Sequence, residues 1–173
     1  MHNHEPHNYA CPFCLLTQGI QSESVESVYT DIICQSDTVT AVISSRQWPR
    51  NPGNVLIIPN QHYENIYEFP PYLAVDIQEA AQIIAVAMKD AYGCDGVSTR
   101  QHNEPAGNQD VWHYHLHVTP RYHNDRFYET LTTERGWMAP EERALHAQRL
   151  SGALGKSDCK PVSRAAVERL IMD

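Results

Sequence analysis

The run Val111-Trp112-His113-Tyr114-His115-Leu116-His117-Val118-Thr119 alternates histidine with aromatic or aliphatic residues. Such residues favour extended backbone, so the run predicts a strand. Side chains at i, i+2 and i+4 leave one face of a strand, about 6.5–7 Å apart. His113, His115 and His117 then line one surface, and Tyr114 and Leu116 enter a core on the other. The fold must therefore contain a sheet with one greasy face and one face rich in imidazole. Each neutral imidazole needs partners for two nitrogens, so a chance cluster of three would be costly if buried. Two chemistries remain. Three imidazoles can hold a metal, or one can attack a phosphate that its neighbours bind.

The 173 residues are enough for one domain with a proper core, and 42% hydrophobic and 20% charged residues are ordinary globular values. The formal net charge of −8 argues against general binding to nucleic acid or to acidic membranes. A small polyanionic substrate stays open, because the ten histidines can act locally against the global field. No apolar run is long enough to span a bilayer. The opening Met1-His2-Asn3-His4-Glu5-Pro6-His7 lacks the basic-then-apolar order of a secretory signal. A cytoplasmic protein is expected, with residues 1–10 as a flexible tail.

Residues 28–34 and 38–44 read as two strands around the turn Gln35-Ser36-Asp37. Val55-Leu56-Ile57-Ile58 is an apolar strand ended by Pro59. Leu73, Ile77, Ala80, Ile84, Met88 and Ala91 form one apolar stripe, which predicts a helix over 72–92 opened by Pro70-Pro71 and closed by Gly93. Residues 96–102 are a further strand, and a polar loop joins it to the histidine run. After Arg121 the chain turns polar. A helix is expected from Pro140 to about Leu154, and a short one after Ser163. This order suggests an α+β fold with an antiparallel sheet.

Cys11-Pro12-Phe13-Cys14 stands apart from the isolated Cys34, Cys94 and Cys159. An odd cysteine count argues against a disulfide framework. A CxxC pair offers two soft ligands for zinc and needs two more from elsewhere, with histidine the natural complement. A catalytic metal on the histidine run fits less well. A cupin site would want Glu at Thr119 or Pro120, and a jelly roll leaves no place for the long helix.

The chain resembles the histidine triad (HIT) family of nucleotide hydrolases and transferases. His113-Tyr114-His115-Leu116-His117-Val118-Thr119 matches its HxHxHxx signature. The loop Asn103-Glu104-Pro105-Ala106-Gly107-Asn108-Gln109-Asp110-Val111 matches the family's Asn-rich approach to that signature. Pro52-Gly53-Asn54-Val55-Leu56-Ile57-Ile58-Pro59-Asn60-Gln61-His62 matches its upstream element. The resemblance implies a five-stranded antiparallel sheet with one long helix, a HIT domain over 11–125 and a C-terminal helical extension over 126–173. It also implies a homodimer acting on a nucleotide or dinucleotide.

By the same resemblance His115 attacks the α-phosphate, giving a nucleotidyl-histidine that water hydrolyses. His117 contacts the phosphate and leaving-group side, and Asn103 and Gln109 hold phosphate or ribose oxygens. Some members hold a structural zinc at positions matching Cys11, Cys14, His62 and His113. Related transferases carry Gln at the third histidine, so His117 favours hydrolysis. A transferase or phosphorylase, and a nucleotide-binding regulator with little turnover, are the competing readings. Three departures stand out. Asn108 replaces a usual Gly. Asp110 occupies a position where Ser or Thr can donate to phosphate. Ser44-Ser45-Arg46 stands where many members place an acidic residue or Asn for the ribose.

Overall fold

The computed structural model describes residues 2–22 and 25–155. Cys159 and the expected helix after Ser163 lie outside them. Seven strands are present among the described residues: β1 (Ile32–Gln35), β2 (Val39–Ile43), β3 (Arg46–Gln47), β4 (Val55–Pro59), β5 (Gly96–Gln101), β6 (Leu116–Arg121) and β7 (Gly136–Trp137). Five of them form one antiparallel sheet in the order β1-β2-β4-β6-β5, and β3 and β7 form a small second sheet. Four helices accompany them: α1 (Pro12–Thr17), α2 (Pro71–Tyr92), α3 (Phe127–Thr130) and α4 (Pro140–Ala153).

Alternation along β4 sorts the two faces of the sheet. Val55 and Ile57 pack with Ile33, Ala41, Ile43 and Val118 against the apolar stripe of α2 and the inner side of α4. Leu56 and Ile58 point the other way, with Val42, and meet Cys11, Phe13 and Leu16 of the N-terminal segment. Leu73, Ile77, Ala80, Ile84 and Met88 of α2 are all buried. Burying a side chain such as Ile84 stabilises by about 1.5–3 kcal/mol. Gly93 closes the helix at φ 62° with its N–H on the Lys89 carbonyl, a left-handed cap that glycine adopts without strain.

Two strands are shorter than the sequence pattern suggests. The first begins at Ile32, because Asp31 Oδ2 accepts the Val28 N–H at 2.8 Å and turns residues 29–31 into one 3-10 turn. The histidine strand begins only at Leu116, opposite Ile57 and Gln101. Ahead of it the Tyr114 N–H leaves the ladder and donates to the Tyr63 carbonyl at 2.6 Å. His113 and His115 therefore sit in the approach to the strand, and His117 on it.

Arg143 ties α4 to the first hairpin. It is fully buried, with Nε on Asp31 Oδ2 at 2.9 Å and its amino groups on the carbonyls of Met138 and Glu26. Removing one partner of such a buried pair typically costs about 3–5 kcal/mol. Residues at the N-terminus run along Glu64 and Asn65. The Glu5 N–H donates to Glu64 Oε2 at 3.1 Å, and Asn65 donates to the His2 carbonyl at 3.2 Å. No helix among the described residues is long and apolar enough to cross a membrane.

Candidate active site and metal centre

All three histidines of the run are buried and lie on the α1 side of the sheet, where the Phe13 ring stands edge-on to His113 and His115. They do two different jobs. His113 turns toward the cysteines, whereas His115 and His117 border an open cleft.

His115 Nδ1 donates to the His113 carbonyl at 2.8 Å. That hydrogen bond fixes the proton on Nδ1 and leaves a lone pair on Nε2. Burial pushes the imidazole pKa below its ordinary value, against the pull of the backbone carbonyl and of Asp110. The ring is thus neutral near pH 7 and its Nε2 is a base or nucleophile.

His117 is held by a relay that starts at Gln47. Gln47 Oε1 accepts the backbone N–H groups of Gly53 and Asn54 at 3.0 and 2.7 Å. Its amide donates back to the carbonyls of Ser44 and Asn54. Gly53 is at φ 95°, and a Cβ there would lie 2.7 Å from the Tyr92 ring, so only glycine passes. The Asn54 side chain is fixed in turn. Its Oδ1 accepts from Thr119 Oγ1 at 2.7 Å, which aims its amide nitrogen at His117 Nδ1, 3.3 Å away. Nδ1 must therefore accept, and the His117 proton sits on Nε2 as a donor. Burial first, then the neighbouring His115 and Arg100, hold the His117 pKa well below the usual histidine range.

The cleft has two chambers. The larger, about 510 Å³, is bounded by Phe13, Val25, Glu26, Ser44, Leu56 and His115. The second, about 410 Å³, lies on the β5 side. Both are bordered by Asp110, His117 and Arg135. Asp110 Oδ2 takes Arg135 Nη1 at 2.8 Å, while Oδ1 stands 3.8 Å from His115 Nε2. Burial pushes the Asp110 carboxyl up, but the Arg135 guanidinium outweighs it and keeps the group ionised. Glu26, at the mouth of the larger chamber, accepts from Ser45 Oγ at 2.7 Å and Arg46 at 2.8 Å.

Cys11, Cys14, His62 and His113 converge, one ligand atom from each lying within 4.8 Å of all the others. His113 Nδ1 is 3.2 Å from Cys11 Sγ and 3.5 Å from Cys14 Sγ, and His62 Nδ1 is 3.3 Å from Cys14 Sγ. Metal–ligand bonds of about 2.0–2.3 Å in a tetrahedron require separations of this size. Both rings are pre-set for ligation. His113 Nε2 donates to the Pro59 carbonyl at 2.9 Å, and His62 Nε2 stands 3.0 Å from Glu5 Oε2, so each ring offers Nδ1. The hydrogen bond from Cys14, then those from His113 and His62, pull the Cys11 thiol well below its ordinary value. The donor set of two sulfurs and two nitrogens fits a closed, soft-metal site.

The two expected substrate contacts are engaged with the protein itself, and of the two only Gln109 borders the second chamber. Gln109 is buried, and its amide serves the loop: Oε1 accepts the Glu104 N–H at 2.8 Å, and Nε2 donates to the carbonyls of Glu64 and Val111. Asn103 borders neither chamber; it binds Gln101 and caps the Ile66 N–H at 2.9 Å. Both hold backbone that frames the site. Conversely, Gln47, Asn54 and Arg135 were not legible as site residues. The hint for Asn54 was its place after Pro52-Gly53, inside the element that ends in His62.

A neutral, backbone-oriented imidazole beside a second imidazole that donates can attack a phosphoryl group and stabilise its oxygens. The HIT domain family matches residues 25–124, and the chain belongs to that family. It is 32% identical over 147 residues to the Protein hit of Bacillus subtilis, covering 84% of this chain and 92% of that protein. It is 29% identical over 115 residues to the adenylylsulfatase HINT3 of Arabidopsis thaliana, covering 66% of this chain and 54% of that protein. Among solved structures it is similar to a Hit-like protein from Bartonella henselae, with TM-score 0.69, 25% identity, and 87% of this chain and 100% of that chain covered. A Zn-bound histidine triad family protein from Mycobacterium smegmatis shares the fold, with TM-score 0.66, 24% identity, and coverage of 83% and 94%.

Proposed function

We propose that the protein is a nucleotide hydrolase in which His115 Nε2 attacks the α-phosphorus of a nucleotide. The observation that carries this is the 2.8 Å hydrogen bond from His115 Nδ1 to the His113 carbonyl, which leaves Nε2 free at the cleft. The P–N bond forms as the bond from phosphorus to the leaving group breaks. Water then attacks the same phosphorus, the P–N bond breaks, and a nucleoside monophosphate departs. His117, protonated on Nε2, donates to a phosphoryl oxygen and stabilises the charge that develops there.

The larger chamber, walled by Phe13, Val25 and Leu56, has the volume and apolar lining for a nucleoside. Glu26, a carboxylate at the mouth of this chamber, would accept from ribose hydroxyls. The adenylylsulfatase relative supports a nucleotide with a leaving group on its α-phosphate. Cys11, Cys14, His62 and His113 would hold zinc, which supplies a structural cross-link between the N-terminal segment and the residue that orients the nucleophile. The family resemblance further suggests a two-fold dimer, which sedimentation equilibrium checks.

The test is turnover of adenosine phosphoramidate, diadenosine tetraphosphate and a nucleotide sugar by wild type and His115→Ala. Nucleoside monophosphate release by wild type alone is expected. Equal activity of the variant would overturn the assignment.

A further inference from the structure

Arg100 lies on β5 directly opposite His117 of β6, so both side chains leave the same face of the sheet. Its guanidinium is wedged between two rings, 5.0 Å from the Trp48 centroid and 4.9 Å from that of Phe127. Its Nε and Nη2 are buried and have no hydrogen-bond partner. The neighbouring cations are already matched: Arg121 binds Asp125 with Nε at 2.7 Å, and Arg135 binds Asp110 at 2.8 Å. No carboxylate among the described residues pairs with Arg100. A partly buried cation without a counter-charge is costly, and such a group beside a cleft marks a candidate functional site.

The group borders the second chamber, on the far side of His117 from the apolar nucleoside chamber. Trp48 and Leu131 wall this chamber, and the Trp48 indole N–H donates to the Leu131 carbonyl at 2.9 Å, which fixes that wall. Asn108 and Arg135 face the same space. With Asp110 already neutralised by Arg135, Arg100 leaves the chamber with a net positive charge. A planar guanidinium held on an aromatic face at the chamber's edge, its charge unpaired, suits the oxygens of phosphate or sulfate.

We infer that the second chamber is an anion subsite, with Arg100 as its clamp, that takes a negatively charged leaving group such as a nucleoside polyphosphate or sulfate. This rests on the reading of His115 as the nucleophile, since in-line attack from Nε2 drives the leaving group away from that ring and past His117. Arg100 is then a specificity-determining residue. It favours substrates whose α-phosphate is linked to another anion over phosphoramidates that release a neutral amine.

Steady-state kinetics of wild type and Arg100→Met on diadenosine tetraphosphate and adenosine phosphoramidate test it. Arg100→Gln runs alongside, to separate loss of charge from loss of packing on Trp48. The ratio of kcat/KM for the tetraphosphate to that for the phosphoramidate is expected to fall about tenfold in both variants. A fall of less than about threefold overturns the subsite. If wild type turns over neither substrate, the hydrolase reading fails, and calorimetric titration with inorganic tripolyphosphate judges the subsite by itself. Binding by wild type that weakens about tenfold in Arg100→Gln supports it; no binding, or equal binding, overturns it.

Discussion

The Asn54 side-chain amide stands 3.3 Å from His117 Nδ1 and is oriented by the Thr119 hydroxyl at 2.7 Å. This makes Asn54 the residue that sets the His117 tautomer. Asn54→Leu removes the donor and strands a buried imidazole nitrogen and a buried hydroxyl. Each such unpaired group costs about 1–3 kcal/mol. Stability is expected to fall by a similar amount and kcat by about tenfold or more, since His117 can then protonate on the wrong nitrogen. Asn54→His places a ring N–H at the same position, so activity should return toward wild type. A fully active Asn54→Leu, assayed on whichever substrate wild type prefers, would remove Asn54 from the mechanism.

The candidate metal cluster and the proposed nucleophile meet at one residue. His113 offers Nδ1 to the cluster, Nε2 to Pro59 and its carbonyl to His115. The expected metal role is therefore mechanical. Elemental analysis should give about one zinc per chain. Cys11→Ala should lower the thermal midpoint by about 10 °C, as expected for loss of several kcal/mol in a chain of this size. Chelation should cost stability before it costs turnover. Reversible loss of activity by EDTA at constant melting temperature would instead move the metal into the chemistry.

What the sequence disclosed follows from periodicity. The α2 stripe, the apolar β4 and the alternation around His117 each repeat at the spacing of one regular element, so burial could be read from neighbours in the chain. The cluster of Cys11, Cys14, His62 and His113 was legible only through family resemblance, because its members lie far apart in sequence. Distance also hid Asn54 and Arg135, whose partners are Thr119 and Asp110, whereas Gln47 was hidden because its near neighbours Ser44, Gly53 and Asn54 follow no period. The loop contacts of Asn103 and Gln109 were hidden for a related reason. A polar residue in a loop can bind a phosphate or bind the loop, and only the positions of the Glu104 N–H and the Glu64 carbonyl decide. The β3–β7 pair was also hidden, since two-residue strands have no period.

The loop contacts of Gln109 give their own test. If the amide holds the loop, Gln109→Leu unpairs a backbone N–H and two carbonyls in a buried setting. Stability should fall by about 1–3 kcal/mol, with amide exchange of residues 104–111 accelerated in the absence of any nucleotide. A variant with wild-type stability and exchange but a raised KM would restore Gln109 as a substrate ligand.

Asp125 governs how the chain leaves the sheet. It accepts from Arg121 Nε at 2.7 Å, from Asn51 at 2.7 Å and from the backbone N–H groups of Tyr122 and Phe127 at 3.0 Å each. The Arg121 hydrogen bond, helped by the backbone donors and Asn51, outweighs burial and holds the carboxyl far below the usual carboxylate range. A depressed folded-state pKa means that the unfolded chain binds the proton more readily. The stabilisation is therefore complete above the unfolded value of about 3.9 and is lost as pH falls from there toward the folded value. Because Asp125 is buried, Asp125→Asn should cost about 2–4 kcal/mol at pH 7, through the lost ion pair and the misplaced amide donors. The variant should also lose part of the wild-type decline between about pH 4 and pH 2. Urea titrations at pH 7, 4 and 3 measure both effects, and an Asp125→Asn curve that stays parallel to wild type through this range would show that Asp125 is not the group that titrates.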